Sequence, residues 1–167
     1  RCEANQHISL TVTAGSGQSA VSAKRLGLAA HITLTGGETS YEFDLSTLPS
    51  GASAQLLELS RQPLPESTDG LTASLTSFAP FDAEPSLCED VISIDTQDTA
   101  ITITNISGSD ITGQIYVYYK SAYGDLYIGG ITYRTGVSGL AAGESTTLYA
   151  SHYSTAYSKI MFVTYVQ

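Results

Sequence analysis

The sequence predicts an all-β fold, arranged as two tandem β-sandwiches. Three observations carry that expectation. Short runs alternate apolar and polar residues, the period of a half-buried strand. The composition suits a pleated surface: eleven Tyr, no Trp, and Ser plus Thr at about a quarter of the chain. Finally, two pairs of segments recur at almost the same offset, the mark of an internal duplication.

The elements follow in order. Ile8-Ser-Leu-Thr-Val-Thr13 alternates as a strand, and a Gly/Ser-rich break follows it. The runs 31–34 and 41–45 flank Gly36-Gly37 and read as a hairpin, with Phe43 and Leu45 inward and Glu42 and Asp44 outward. Pro49-Ser50-Gly51 is a turn leading into a strand over 53–59. Two prolines and a glycine make 60–70 a loop. A strand over 71–78 closes the first half. The acidic, Pro-containing stretch 82–90 reads as a junction. The expected domains are therefore 1–82 and 91–167, with an acidic linker at 83–90. In the second half, strands are expected at 91–94, 100–104, 111–120, 126–134, 145–150 and 159–165.

The repeat can be placed residue by residue. Leu10-Thr-Val-Thr13 matches Ile101-Thr-Ile-Thr104 at an offset of 91. Leu48-Pro49-Ser50-Gly51-Ala52-Ser53 matches Leu140-Ala141-Ala142-Gly143-Glu144-Ser145 at an offset of 92.

The order Asn105-x-Ser107-Gly108, strand, hairpin, Leu140-x-x-Gly143-Glu144-Ser145, strand resembles bacterial immunoglobulin-like domains of the cell-adhesion-related type. Residues 111–165 also resemble a family of uncharacterised exported proteins of Gram-positive gut bacteria. That likeness rests on Ile115-Tyr-Val-Tyr-Tyr-Lys120, Tyr127-Ile-Gly-Gly-Ile-Thr-Tyr133, Ala150-Ser-His-Tyr-Ser154 and Ile160-Met-Phe-Val163. It covers about the last 80 residues; the first half keeps mainly the Leu48-Pro49-x-Gly51 turn and the 84–90 junction. The resemblance implies two immunoglobulin-like β-sandwich domains, an extracellular or cell-surface location and a non-enzymatic adhesion or structural role. It offers no catalytic residue.

Charge narrows the partners. The net charge is −9, with seven Lys and Arg, so nucleic acid, which needs several cations to displace its counterions, is not an expected partner. No apolar run reaches the ~20 residues that span a bilayer, so no membrane insertion of this segment is expected. The chain starts at Arg1 rather than Met, which leads us to expect that a preceding segment was removed. The remaining partners are a cell-surface protein or a glycan. No cofactor and no metal are expected.

Cys2 and Cys88 either form one disulfide, as suits an exported protein, or remain two thiols. A bridge would close a loop of about 85 residues and contribute about 4–5 kcal/mol. Gly15-x-Gly17-x-x-Ala20, after a strand and before a stretch able to be helical, outlines a nucleotide loop and an enzymatic alternative. The matching positions 106–110, a strand-to-strand break, argue for a turn. His7, His31 and His152 are isolated in sequence and read as structural. The acids 82–98 lack the spacing of a calcium loop and read as solvated.

The tyrosines supply the candidate binding site. Strand parity puts Ile115, Val117 and Tyr119 on one face of 111–120 and Tyr116, Tyr118 and Lys120 on the other. With the first set in the core, Tyr116 and Tyr118, joined by Tyr127 and Tyr133, would line an exposed face for a carbohydrate or protein partner. Cross-strand packing explains the same residues without a ligand.

Overall fold

The computed structural model describes residues 8–15, 20–21, 30–58, 62–63, 65, 67–78 and 86–167. The described residues form strands, turns and irregular connections, with no helix. They fall into two compact units: Arg1–Ala83 with Ile128–Ile131, and Glu84–Tyr127 with Thr132–Gln167.

The second unit is the more regular. Strands β8 (Ile92–Gln97), β9 (Ala100–Asn105) and β13 (Ser145–Tyr149) form one antiparallel sheet in the order β13-β9-β8. Strand β10 (Ile111–Tyr123) is the centre of another, flanked by β12 (Tyr133–Leu140) and β14 (Ser158–Tyr165), both antiparallel to it. At its end β10 turns back into β11 (Leu126–Ile128). Ile92, Ile101, Ile103 and Leu148 from the first sheet share one core with Ile111, Ile115, Val117 and Val163 from the second. Alternation creates that core: on β9 the isoleucines are buried while Thr102 and Thr104 lie on the outer face.

The first unit contains β1 (Ser9–Thr13), β2 (Ala20–Val21), β3 (Ala30–Gly36), β4 (Thr39–Leu45), β5 (Thr47–Leu48), β6 (Ser53–Leu57) and β7 (Thr72–Phe78). β1 pairs with β6, β2 with β5, and β3 lies between β4 and β7. The β3–β4 hairpin matches expectation: Tyr41, Phe43 and Leu45 are buried, and Glu42 and Asp44 face outward. Its turn is Gly37-Glu38, one residue later than the glycine pair suggests.

The sequence repeat coincides with repeated hydrogen bonding. Thr13 pairs with Ser53 and Thr104 with Ser145, and in both the hydroxyls meet at 2.7 Å. Gly51 N donates to Ala14 O and Gly143 N to Asn105 O, each at 2.9 Å. Ala52 N donates to Pro49 O (3.1 Å) and Glu144 N to Ala141 O (3.0 Å), closing equivalent β-turns. Gly51 and Gly143 occupy the third position of those turns at φ +73° and +76°, a region a side chain disfavours. Ala20↔Leu48 in the first unit has its counterpart in Ile111↔Leu140 in the second.

Two expectations are corrected. The expected single strand over 126–134 is broken: β11 ends at Ile128, residues 129–132 are irregular, and β12 begins at Tyr133. The break belongs to the first unit's packing. Gly130 O accepts from Ser46 N (2.9 Å) and Ser46 Oγ (2.6 Å), and Gly129 N donates to Gln55 O (2.8 Å). A Cβ on Gly130 would lie 2.0 Å from the Asp44 carbonyl oxygen, so only glycine fits there. The second correction concerns the nucleotide loop. Residues 16–19 lie outside the described residues, but Ala20–Val21, where a helix would open, is strand β2.

The turn after β9 is tied down by a buried polar residue. Asn105 is 0% exposed. Its Nδ2 donates to Ser109 O (2.7 Å) and Leu140 O (2.9 Å), and its Oδ1 accepts from Ser107 N (3.0 Å) and Ser107 Oγ (2.7 Å). Replacing it strands a buried carbonyl and a turn amide. Asn105→Ala is expected to destabilise the second unit by about 2–4 kcal/mol, read as a lower urea midpoint at unchanged slope. A loss below about 0.5 kcal/mol would show that the turn holds without it.

Candidate functional site

The four candidate tyrosines do not share one exposed face. Tyr116 is half-buried on the outer face of β10, opposite Gly136, and the Arg134 guanidinium lies 4.2 Å from its ring centre. Tyr118 is only 7% exposed and stacks on Phe162, with centroids 4.3 Å apart and planes 15° apart. Tyr116 and Tyr118 meet edge-on at 6.4 Å. Tyr127 is buried at 5% exposure, opposite Ala122. Tyr133 lies opposite Tyr119 and stacks on it at 5.5 Å. Tyr119 belongs to the core, so Tyr133 sits on the inner face, away from Tyr116. There it meets His152 at 4.5 Å, while Tyr119 meets Tyr153 at 5.4 Å. Burial pushes the Tyr119 phenol up. The structure thus joins Tyr116 and Tyr118 and separates Tyr133 from them.

The most exposed tyrosines are others: Tyr123, Tyr149 and Tyr157, at 74%, 76% and 64%. Parity along β10 could not single out Tyr123, because it groups Tyr123 with the core positions Ile115, Val117 and Tyr119, while the outer-face positions Tyr118, Lys120 and Ala122 are themselves buried. Lys120 is 0% exposed, and burial pushes its amine down to about 7.

Cys88 has no disulfide partner among the described residues; it is half-buried, at a left-handed φ of 53°. Burial pushes its pKa up, which disfavours the nucleophilic thiolate. Cys2 and His7 lie outside the described residues. In the acidic stretch, Asp98 accepts from Thr155 N (2.7 Å) and Thr155 Oγ1 (3.0 Å), which hold its carboxyl below the usual range. Among the described residues, no cluster of three His, Cys, Asp or Glu is placed to hold a metal ion.

One polar cluster escaped the sequence reading. His31 on β3 lies between two carboxylates of β4. Its Nδ1 is 2.5 Å from Asp44 Oδ1, and its Nε2 is 2.7 Å from Glu42 Oε2. Glu42 also accepts from Thr33 Oγ1 (2.8 Å) and Ser40 Oγ (2.6 Å). The hairpin register explains it: His31 is opposite Asp44 and Thr33 opposite Glu42, so these side chains share one face. The Ser40 hydroxyl bonds the carboxylate rather than the imidazole, so the group is not arranged as a nucleophilic triad.

The Asp44 hydrogen bond, and after it the Glu42 bond, hold His31 above its ordinary 6.5 against the opposing effect of burial. The Ser40 and Thr33 hydroxyls, followed by His31, hold Glu42 below its ordinary 4.5.

Comparison with known proteins finds no matching family model, curated protein or solved structure. Among the described residues no helix is long and apolar enough to cross a membrane.

The His31 cluster gives a pH prediction. The raised histidine contributes fully below pH 6.5 and loses its contribution as pH rises through its folded value. The lowered Glu42 contributes above pH 4.5 and loses its contribution as pH falls through its folded value. His31→Gln should therefore cost most stability between about pH 4.5 and 6.5, and progressively less at higher pH. Thermal melts of both proteins across pH read this directly. A difference that stays constant from about pH 5 to about pH 9 would contradict the assignment.

Proposed function

We propose that the chain is a non-enzymatic, extracytoplasmic adhesion or structural module made of two tandem immunoglobulin-like β-sandwich units. The observation that carries this reading is the repeated pairing: β1 with β6 and β9 with β13, each closed by the same turn and the same hydroxyl contact. In the second unit, the order β13-β9-β8 beside β12-β10-β14 suits an immunoglobulin-like arrangement, with its first strand, second strand and their later partner in one sheet. The first unit offers the same scheme in β1–β6 and β4-β3-β7.

The chemistry of the turns suits a stiff scaffold. In the second unit Asp110 accepts from Ala142 N (2.8 Å), Glu144 from Ala141 N (2.8 Å) and Asp98 from Thr155 N (2.7 Å). Such side-chain bonds replace water at loop backbone groups and restrain the loops. The acidic surface suits a protein or neutral glycan partner better than a polyanion. The extracytoplasmic location rests on the family resemblance.

The alternative, a carbohydrate-binding module, rests on Tyr116 with Arg134 stacked on it, because Tyr118 and Tyr127 are buried. Arrays of cell-surface proteins and glycans separate the readings. The module reading expects saturable retention of a ligand recovered chemically unchanged; a ligand converted on incubation would overturn it. If glycans bind through the tyrosine face, Tyr116→Ala should weaken binding at least about tenfold, as loss of a stacking residue does. Retention on glycans unaffected by Tyr116→Ala would remove this face from the site.

A further inference from the structure

We propose that the groove between β8 and β14 accepts an extended strand from a partner protein, with alternating aliphatic side chains flanked by basic residues. This deepens the adhesion reading, on which it rests for the partner being another molecule. The groove is about 430 Å³ and is lined chiefly by Leu87, Glu89, Ile92, Ile94, Tyr153 and Ile160. β8 is the edge of β13-β9-β8, and β14 is an outer strand of the sheet centred on β10. Ile94 and Ile160 are half-buried and pack against the same core from these two strands, so the groove floor is continuous with the core.

The edge of β14 already takes one main-chain contact from the segment that leads into β8. Val163 N donates to Ser86 O at 2.9 Å, pointing away from β10. The chain then turns at Cys88, whose φ is 53° and whose carbonyl accepts from Val91 N (2.9 Å) and Ile92 N (2.8 Å). It enters β8 from there, so that native contact ends at one residue. An incoming strand would extend it, bonding through its main chain and placing alternate side chains on Ile94 and Ile160.

The first unit also has an opening, beside β1, which is the counterpart of β9 rather than of β8. A groove of about 630 Å³ lies between β1 and β7, lined in part by Val12, Ile32, Leu45, Ala73 and Leu75. Leu75, on the inner face of β7, is 56% exposed.

Charge selects the partner. Glu89 lines the groove, Asp90 and Asp95 are exposed beside it, and no Lys or Arg lines it. A second copy would bring another net −9 to the same edge, whereas basic flanks are attracted to it.

The probe is the synthetic peptide Lys-Thr-Val-Thr-Ile-Thr-Val-Lys, titrated against the full chain and followed by hydrogen exchange. Protection is expected at residues 92–96 and 159–163, with binding that weakens as salt is raised. The same peptide with proline at alternate threonines should not bind, because it lacks the donors. Ile94→Lys should weaken binding at least about tenfold, and Glu89→Gln about threefold, the latter with an unchanged melting curve. Ile94→Thr, a milder change, keeps the test valid should the lysine variant not fold. The proposal is overturned by no protection at about 1 mM peptide, by equal binding of the proline control, or by the same edges being protected through self-association. Those outcomes leave the array test of the adhesion reading standing, since the peptide experiment reads the groove alone.

Discussion

Each unit depends on a single antiparallel pairing held in register by its turn. Between β1 and β6, and between β9 and β13, the glycine at positive φ lets the turn close and direct its amide to the end of the partner strand. The hydroxyl pair one step along the ladder, Thr13 with Ser53 and Thr104 with Ser145, lies on the outer face. Register matters here because a slip of one residue would exchange the faces of a strand. On β9 that would bring Thr102 and Thr104 into the core and carry Ile101 and Ile103 out of it. The sharing of one core between the two sheets of the second unit follows from this register.

Much of this scaffold was legible in the sequence, because it is written with period two. Alternation located β1, β3, β4, β9, β13 and β14 to within a residue or two, and the Leu-x-x-Gly-x-Ser turns located the duplication. The break after Ile128 was not legible from alternation, since its cause is distant: Gly130 is needed where its backbone meets Asp44 and Ser46. The two short strands β2 and β5 carry too few residues to show a period.

The candidate site was less legible, for a different reason. Parity correctly separates the two faces of β10, but it does not say that an outer face is open. Tyr118 and Lys120 are buried although they lie opposite the core. Tyr and Lys carry large apolar bodies with polar tips, so their presence on a strand does not distinguish an exposed face from a covered one. Tyr133 shows the complementary limit: its ring joins the core side because Tyr119 lies directly opposite it, and that register depends on a strand boundary the sequence did not reveal. His31 looked isolated because its partners are 11 and 13 residues away; only the hairpin register brings Glu42 and Asp44 to it.

The two units differ where their shared pairing leaves a choice. Position 105 is a buried asparagine that satisfies three polar groups of its own turn and the Leu140 carbonyl, while its counterpart, Ala14, has no polar side chain to do so. The second unit therefore ties the turn after β9 with uncharged side-chain hydrogen bonds. The first unit instead carries a polar network on the outer face of the β3–β4 hairpin, where the pKa of His31 is raised and that of Glu42 lowered. One pairing scheme thus carries two different polar reinforcements, uncharged hydrogen bonds at a turn in one unit and a titrating cluster on a hairpin face in the other. The shared scheme permits this because the outer face and the turn tip can differ without altering the inward residues that hold the sheets together.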